Sequence, residues 1–398
     1  MNRLIFHVDV NSAFLSWTSV KRLSQGESDL RLIPSCIGGE SGTRNGIVLA
    51  KSIPAKQFKI ETAEPVSMAL RKCPTLVVVP PDFPWYKTCS KAFKDICRSY
   101  APAVEEYSID EVFLDMSGTG LIYPDPVKTA YEIKDRIKDT LGFTVNVGIG
   151  PNKLLAKMAS DFQKPDRVHT LYTEEIPKKM WPLPVGDLLY CGKSSTARLQ
   201  AAGIYTIGEL ANRDLNELKK LMGEKGGEFL HRLANGEDDG DVTEEYEDAK
   251  SYSIVTTEEE DITSFARADE LLLSLVDRVA KRLRRDEAYA TCISVTVRYL
   301  SFKTRSHQRR LENPTDISRE IYETGKELLR ELWDGETPLR LVGIALSDVT
   351  KDAVTQLSLF EEENEQREKN RLMDRTMDSI LDRFGRDSLK RGTGIKKS

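Results

Sequence analysis

Three carboxylates stand where a folded chain seldom places them. Asp9 closes the largely apolar, β-branched run Arg-Leu-Ile-Phe-His-Val-Asp-Val of residues 3–10, and Asp110-Glu111 lie inside Tyr-Ser-Ile-Asp-Glu-Val-Phe-Leu-Asp, residues 107–115. A carboxylate carried into an apolar strand is costly unless it is paired or binds a cation. An isolated Asp-Glu pair is an ordinary exposed turn, but the apolar residues on both sides of this one argue against that. Neighbouring side chains of a regular strand point to opposite faces, so for both acids to reach one site the chain must turn or bulge there. That places Asp110 and Glu111 at a hairpin tip. Three carboxylates from two adjacent strands suit the hard, oxygen-preferring Mg²⁺. Two such ions about 3.5–4 Å apart would activate an attacking oxygen and stabilise a leaving one, which is the chemistry of phosphoryl transfer.

The elements that must carry these acids follow from hydrophobic period and turn residues. Residues 3–10 read as a buried strand, 11–23 as a helix, and a Gly-rich stretch at 38–46 leads to a strand at 47–50 and a helical segment near 65–72. A second buried strand at 76–79 is stopped by Pro80-Pro81; 86–100 is a helix, 107–116 a strand pair, 125–141 a helix and 144–149 a strand. The first 170 or so residues therefore predict a sheet covered by helices. Beyond Leu171 short helices alternate with glycines, and the acidic, aperiodic stretch 236–248 is the best linker candidate. A smaller α+β domain follows, with helices at 268–285 and 316–332 and strands at 291–301 and 340–348. After Val349 a polar tail is expected, with no packed core and one apolar helical stripe of Leu372, Met373, Met377, Ile380, Leu381 and Phe384.

Composition narrows the function classes. A chain of 398 residues predicts two to four domains. A hydrophobic fraction of 39% with 30% charged residues is that of a soluble globular protein. No apolar run is long enough to span a bilayer, and the N-terminus reaches charge too soon for a signal peptide. These features, with six scattered cysteines read as reduced thiols, point to the cytoplasm; with only four histidines they do not suggest structural zinc. The net charge of −5 is awkward for a nucleic-acid binder. Phosphate binding is local, however, and Lys and Arg bunch at 278–285 and 298–310 while acids bunch at 236–248, 258–261 and 361–368.

Three blocks together carry a family resemblance: His-Val-Asp-Val-Asn-Ser-Ala-Phe (7–14), the acidic block at 107–115, and Gly-Ile-Gly-Pro-Asn-Lys-Leu-Leu-Ala-Lys-Met-Ala-Ser-Asp-Phe-Gln-Lys-Pro (148–165). They resemble the Y-family DNA polymerases, whose bacterial branches include polymerase IV and the catalytic subunit of polymerase V, and the similarity is colinear from residue 3 to about 350. The resemblance implies an α+β right hand: palm at 1–10 and 78–168, fingers at 11–77, and a helical thumb at 169–235. A linker at 236–250 then leads to a separate α+β little finger at 251–352 and a tail from 353 to 398. It further implies template-directed, low-fidelity translesion synthesis, in which a primer 3′-OH attacks the α-phosphate of a dNTP and releases pyrophosphate. The matching metal ligands are Asp9, the Val10 backbone carbonyl, Asp110 and Glu111, for two Mg²⁺ ions with Mn²⁺ able to substitute. Phe14 matches the bulky residue that meets a ribose 2′-OH, and Lys164 a lysine on the triphosphate; Lys153 and Lys157 are weaker matches.

The fingers depart from the family pattern. Ala-Lys-Ser-Ile-Pro-Ala-Lys (50–56) stands where most members carry a Tyr and an Arg on the triphosphate. Ile53 has no donor, and Lys56 offers a point charge in place of a bidentate fork. Asn11, an Asp in polymerase IV proteins, looks more like the polymerase V branch. Residues 183–210 resemble a helix-hairpin-helix thumb, whose turn at Gly192 and Lys193 would aim backbone N–H groups at a phosphate. Arg298, Lys303, Arg305, Arg309 and Arg310 are expected to lie along the DNA backbone. Gln356-Leu357-Ser358-Leu359-Phe360 resembles the bacterial sliding-clamp pentapeptide. Primer-template DNA, dNTPs and a sliding clamp are thus the expected partners of a monomer. Two rival readings are a two-metal nuclease or nucleotidyl cyclase and a non-catalytic clamp- or DNA-binding protein. The first leaves Phe14, the thumb and the little finger unexplained, and the second predicts a broken carboxylate set.

Overall fold

The computed structural model describes residues 3–40, 43–44, 46–244, 248–351, 361–385 and 388–389. The chain divides into two compact units near Tyr246. In the first unit, β1 (Ile5–Val10) runs into α1 (Ala13–Ser24), and a small sheet follows: β2 (Ser35–Gly38), β3 (Val48–Lys51), α2 (Ile53–Lys56), α3 (Val66–Lys72) and β4 (Val77–Val79). Next come α4 (Phe83–Arg98), β5 (Ala103–Glu106), β6 (Glu111–Asp115), α5 (Pro126–Leu141), β7 (Val145–Gly150), α6 (Lys153–Asp161) and β8 (Val168–Thr170). The five strands of the main sheet lie in the order β5-β6-β1-β7-β8, with β1 central and antiparallel to both β6 and β7.

Strand alternation divides that sheet into two unlike faces. Phe6, Val8, Val10, Val112, Leu114, Val145, Val147 and Ile149 enter one core with Trp17 of α1, Tyr86 and Phe93 of α4, and Ile133 and Ile137 of α5. His7, Asp9, Glu111, Asn146 and the two glycines Gly148 and Gly150 lie on the other face, which α6 covers. The helix sits so close that a Cβ on Gly148 would come within 1.9 Å of the Ala156 carbonyl oxygen and 2.4 Å of the Ser160 amide nitrogen. Burial of apolar area holds the first face together. The second is held by a small apolar cluster of Ile5, Phe113 and Ala156 and by the close approach of helix and sheet backbones that the glycines permit.

Two further cores belong to this unit. Cys36, Val48, Ala55, Ile60 and Val66 pack together around β2 and β3. Leu188, Leu199, Ile207, Leu218 and Leu230 gather α8 (Lys193–Ala201), α9 (Ile207–Ala211), α10 (Leu215–Met222) and α11 (Glu224–Ala234), which follow the single-turn α7 (Ile176–Lys179). The stretch expected to be a linker is fastened to this unit in its first half. Asn152 Nδ2 donates to the Gly236 carbonyl at 2.8 Å, Asp238 accepts the Leu154 amide at 3.1 Å at the start of α6, and Glu105 accepts the Thr243 amide at 3.2 Å. Asp238 caps α6, while Glu237, Asp239 and Asp241 pair with arginines and stay exposed.

The second unit is a four-stranded sheet in the order β11-β10-β12-β9, from β9 (Ser251–Ile262), β10 (Tyr289–Tyr299), β11 (Thr304–Thr315) and β12 (Leu339–Thr350). Two helices, α12 (Phe265–Arg285) and α13 (Ser318–Leu332), cover one face, into which Ile293, Val295, Val297, Val342, Ile344 and Leu346 point. β9 and β11 escaped the sequence reading because their alternation is overwritten by acids at 258–261 and by the basic run.

Residues Glu361–Phe384 form α14, which docks through a set of ion pairs, with Met377, Ile380 and Leu381 of its apolar stripe half-buried beside them. Arg284 of α12, nearly fully buried, donates to Asp378 at 2.6 Å, while buried Asp374 accepts the Ser318 amide at 2.7 Å. Ser318 opens α13, whose N-cap Ile317 has no capping side chain of its own. Arg367 and Arg371 reach Glu320 and Asp316 at 2.6 and 3.1 Å. Leu372, Met373 and Phe384 are exposed. The surface offered by the ends of α12 and α13 is itself ionic, so the helix meets it with its ionic face. Residues 356–360, carrying Gln356, Leu357, Leu359 and Phe360, lie outside the described residues.

Candidate active site

The three carboxylates converge on one end of the main sheet. Asp9 and Glu111 are direct cross-strand partners between β1 and β6, and the Val10 amide donates to the Asp110 carbonyl at 3.0 Å. Residues 107–110 form the turn between β5 and β6, so the acids do stand at a hairpin tip, with the first strand of the hairpin lying earlier than the sequence suggested. Asp110 ends the turn, accepting the Ser108 hydroxyl at 2.7 Å, and Glu111 begins β6.

Each acid is turned to an intramolecular partner. Lys164 Nζ contacts Asp9, and it also pairs with Asp161 at 2.7 Å. Glu111 Oε2 meets Lys157 Nζ and lies 3.2 Å from His7 Nε2. Burial pushes the Asp9 carboxyl up to about 6 despite Lys164. Burial would raise Glu111 as well, but the His7 N–H and the Lys157 ammonium outweigh it and bring that carboxyl down to about 2. Desolvation works against the charge on Lys164, and Asp9 and Asp161 more than offset it.

Among the described residues no three His, Cys, Asp or Glu side chains lie close enough to share one ion. The two ammonium groups on Asp9 and Glu111 stand in for cations. The donor set fits divalent metals nonetheless: hard oxygens only, on adjacent strands, with Asp9 in a buried setting that favours a neutralising charge. Lys157 and Lys164 are on long stems that can swing away, and Lys153 is committed to Glu105 at 2.9 Å.

The segment bearing Lys164 is pinned from beneath. Asn11 donates to Asn146 at 3.0 Å and accepts the Thr144 hydroxyl and the Asp166 amide, each at 2.9 Å. Asn146 donates in turn to the carbonyls of Ser160 at 2.9 Å and Gln163 at 2.7 Å. An aspartate at position 11 would lack the donor that this chain of amides uses. Asn11 is therefore a scaffold residue here.

Phe14 follows a left-handed Ser12, with φ of 47° at the turn between β1 and α1. Its half-buried ring stacks on Tyr86, with centroids 4.6 Å apart at 10°, and meets Phe83 edge-on at 5.9 Å. The Tyr86 hydroxyl is 2.8 Å from Thr18 Oγ1, so the ring behind Phe14 is itself fixed. In the small sheet Ile53 opens α2 and is exposed, as is Lys56 on the same turn. Partly buried Lys51 also lies near, its ammonium lowered by desolvation and by Lys56.

Of the residues expected on DNA, Gly192 is the N-cap of α8 and Lys193 its first residue, both exposed, with open space beside the glycine. The left-handed position of that turn is taken by Tyr190, φ 67°, in place of a second glycine. The basic run divides between faces. Arg309 opposes the core residue Ile293 and is held by Glu327 and by Glu331 at 2.5 Å, both on α13. Arg305 opposes Val297 on the same helix-side face and lies over the Tyr299 ring at 5.8 Å. Arg309 is thus held at the surface by two glutamates of α13. Arg298 and Arg310 project from the open face beside Ser294, Thr296, Ser306 and Gln308, and Lys303 sits in the β10–β11 turn. His7, Ser160, Asn146 and Tyr86 escaped the sequence reading. Period-two alternation through residues 5–10 and 145–150 was the signal that would have placed His7 and Asn146 on the side of Asp9.

Comparison with known proteins adds an independent observation. Residues 8–161 match the impB/mucB/samB family, residues 249–359 its C-terminal domain, and residues 187–238 the thumb domain of DNA polymerase-iota. The chain is 42% identical to a protein named DNA polymerase IV from Clostridium acetobutylicum, over all of this chain and 99% of that one. It is 33% identical to DNA polymerase IV 1 of Bacillus subtilis, over all of this chain and 94% of the relative. A solved Y-family DNA polymerase chimera shares the fold, with a TM-score of 0.74 at 21% identity, covering 88% of this chain and all of that one.

Proposed function

We propose a residue-level assignment for a chain that belongs to the impB/mucB/samB family, the Y-family of translesion DNA polymerases. The enzyme is a metal-dependent DNA-directed DNA polymerase that extends a primer on a template with dNTPs. In our reading two Mg²⁺ ions, replaceable by Mn²⁺, are held by Asp9, the Val10 carbonyl, Asp110 and Glu111. The observation that carries it is the cross-strand pairing of Asp9 with Glu111, with the Asp110 carbonyl bonded to the Val10 amide. When bound, the ions activate the primer 3′-OH and neutralise the leaving pyrophosphate. The protein's own part is to hold hard oxygens together and to release Lys164 from Asp9 to the triphosphate. Palm, fingers and thumb are assigned to the three larger cores of the first unit and the little finger to the second, at the boundaries given above. We further propose that the enzyme acts as a cytoplasmic monomer; no described helix is long and apolar enough to cross a membrane.

Phe14 is the proposed sugar gate, held by its stack on Tyr86. Phe14→Ala is expected to relax the preference for dNTP over rNTP by roughly 10–100-fold, since the bulk meeting the 2′-OH is gone. Single-nucleotide insertion with paired dNTP and rNTP measures this, and unchanged discrimination assigns Phe14 to the core alone.

The fingers carry a second expectation. Exposed Ile53 and Lys56 leave a pocket without a hydroxyl or a guanidinium, so Ile53→Tyr with Lys56→Arg should lower the dNTP KM several-fold by adding bidentate contact. A KM that stays or rises in steady-state extension would mean that other cations, Lys51 among them, already hold the phosphates.

For the tail, we propose that Gln356, Leu357, Leu359 and Phe360 bind the sliding clamp. Three large apolar side chains between Asp352 and the acids 361–363 suit a partner's pocket. Leu359→Ala with Phe360→Ala should abolish clamp-stimulated synthesis, in which tethering raises effective concentration by about 10²–10⁴, and leave clamp-free extension intact. Equal stimulation of both proteins by loaded clamp rules the site out.

A further inference from the structure

One buried side chain touches the carboxylate set from behind. His7 is 1% exposed and precedes Asp9 by two residues on the same face of β1. Its Nε2 lies 3.2 Å from Glu111 Oε2 and its Nδ1 2.8 Å from Ser160 Oγ, while its ring rests on Phe113 with centroids 4.7 Å apart. An ionised carboxylate only accepts, so Nε2 carries the proton and donates. Nδ1 of the neutral ring is then an acceptor facing the Ser160 hydroxyl, whose single proton is shared between Nδ1 and the Lys157 carbonyl. The opposite tautomer would set a bare nitrogen against a carboxylate oxygen in a buried site, with no donor between them. Ser160 is fixed in α6, its hydroxyl also 2.8 Å from the Lys157 carbonyl.

We propose that His7 is a positioning residue for the metal centre: the Glu111 carboxylate sets its tautomer, Ser160 holds the ring from its other side, and its Nε2–H fixes which oxygen of Glu111 is left for a cation. Both contacts on the Glu111 carboxylate, from His7 and from Lys157, fall on Oε2. They differ in what a metal does to them. The Lys157 ammonium competes with a divalent ion for the same charge and must leave. A neutral N–H does not compete and stays, so His7 holds the carboxylate in one rotamer through the exchange. A hydrogen bond behind a ligating carboxylate orients it, and its loss commonly costs about 10–100-fold in metal affinity.

The inference rests on Glu111 being a metal ligand, and its test separates the two. Mn²⁺ binding is followed by electron paramagnetic resonance on the full chain with dideoxy-terminated primer-template and the correct dNTP, so that no turnover occurs. His7→Leu is expected to weaken Mn²⁺ binding about 10–100-fold and to raise the Mg²⁺ concentration needed for half-maximal extension, with DNA affinity unchanged. His7→Gln, whose amide nitrogen reaches the place of Nε2, should restore most of the binding; His7→Asn, which reaches only the place of Nδ1, should not. If His7→Leu fails to fold, the Gln-against-Asn difference carries the test, because both keep a buried amide. Ser160→Ala should give a smaller loss by freeing the far side of the ring. Wild-type Mn²⁺ binding in His7→Leu, or equal binding in His7→Gln and His7→Asn, overturns the proposal. If Glu111→Ala too binds Mn²⁺ as wild type does, it is the ligand assignment that fails.

Discussion

Asp110→Ala or Glu111→Ala is expected to reduce primer extension by about 10³-fold or more, equivalent to about 4 kcal/mol of transition-state stabilisation. Both acids lie at the tip of the β5–β6 hairpin, opposite Asp9, and removing either leaves a cation with fewer than the hard ligands it requires. The loss should fall on the chemical step. DNA affinity should hold or rise slightly, because a negative charge near a phosphate has been deleted. Single-turnover extension with saturating dNTP, set beside fluorescence anisotropy on the same primer-template, separates the two quantities. Extension near the wild-type rate in either variant would remove that residue from the metal site.

The second large effect is architectural. Gly148→Ala should destabilise the first unit by more than about 3 kcal/mol and abolish activity, although position 148 touches no substrate. A Cβ there would sit 1.9 Å from the Ala156 carbonyl oxygen and 2.4 Å from the Ser160 nitrogen, both backbone atoms of α6, so no side-chain rotation can relieve it. The helix must move, and with it Lys157, Ser160 and the segment that carries Lys164. For a unit of this size the loss corresponds to a fall of roughly 6–12 °C in its unfolding midpoint. Gly192→Ala is the control: a Cβ there meets nothing within 4 Å, and the cost should stay below about 1 kcal/mol. Thermal unfolding of the two full-length variants decides it, and equal midpoints would mean that α6 yields easily.

What could be read before folding was whatever depends on a residue and its near neighbours in the chain. An acid inside an apolar run announces itself because the cost of burying charge is local, and this exposed Asp9, Asp110 and Glu111. The helices at α1, α5, α12 and α13 and the strands at β1, β6, β7, β10 and β12 were legible because each buries a continuous apolar face. β9 and β11 were not, because Glu258–Asp261 and the arginines of the edge strand interrupt the period. The division of the basic run between faces has the same origin: a run of positive charge says nothing of which side chains face the helices. Pairing with Ile293, and glutamates on α13, decide that.

The sequence by itself determined the chemistry, the carboxylates proposed for the metal site and the order of the family's domains, because those properties travel with short blocks of chain. Only the tertiary structure decided how the acids are supported. His7 reaches Glu111 across 104 positions of sequence and Ser160 across 153, and Asn11 reaches Asn146 across 135. The α14 helix shows the same limit. Its apolar stripe was visible in one dimension, but the ion pairs that dock it were not, because Arg284, Asp316 and Glu320 come together only when α12 and α13 pack. A partner's charge cannot be inferred from a helix alone, since the surface that selects the docking face does not exist until the rest of the domain has folded.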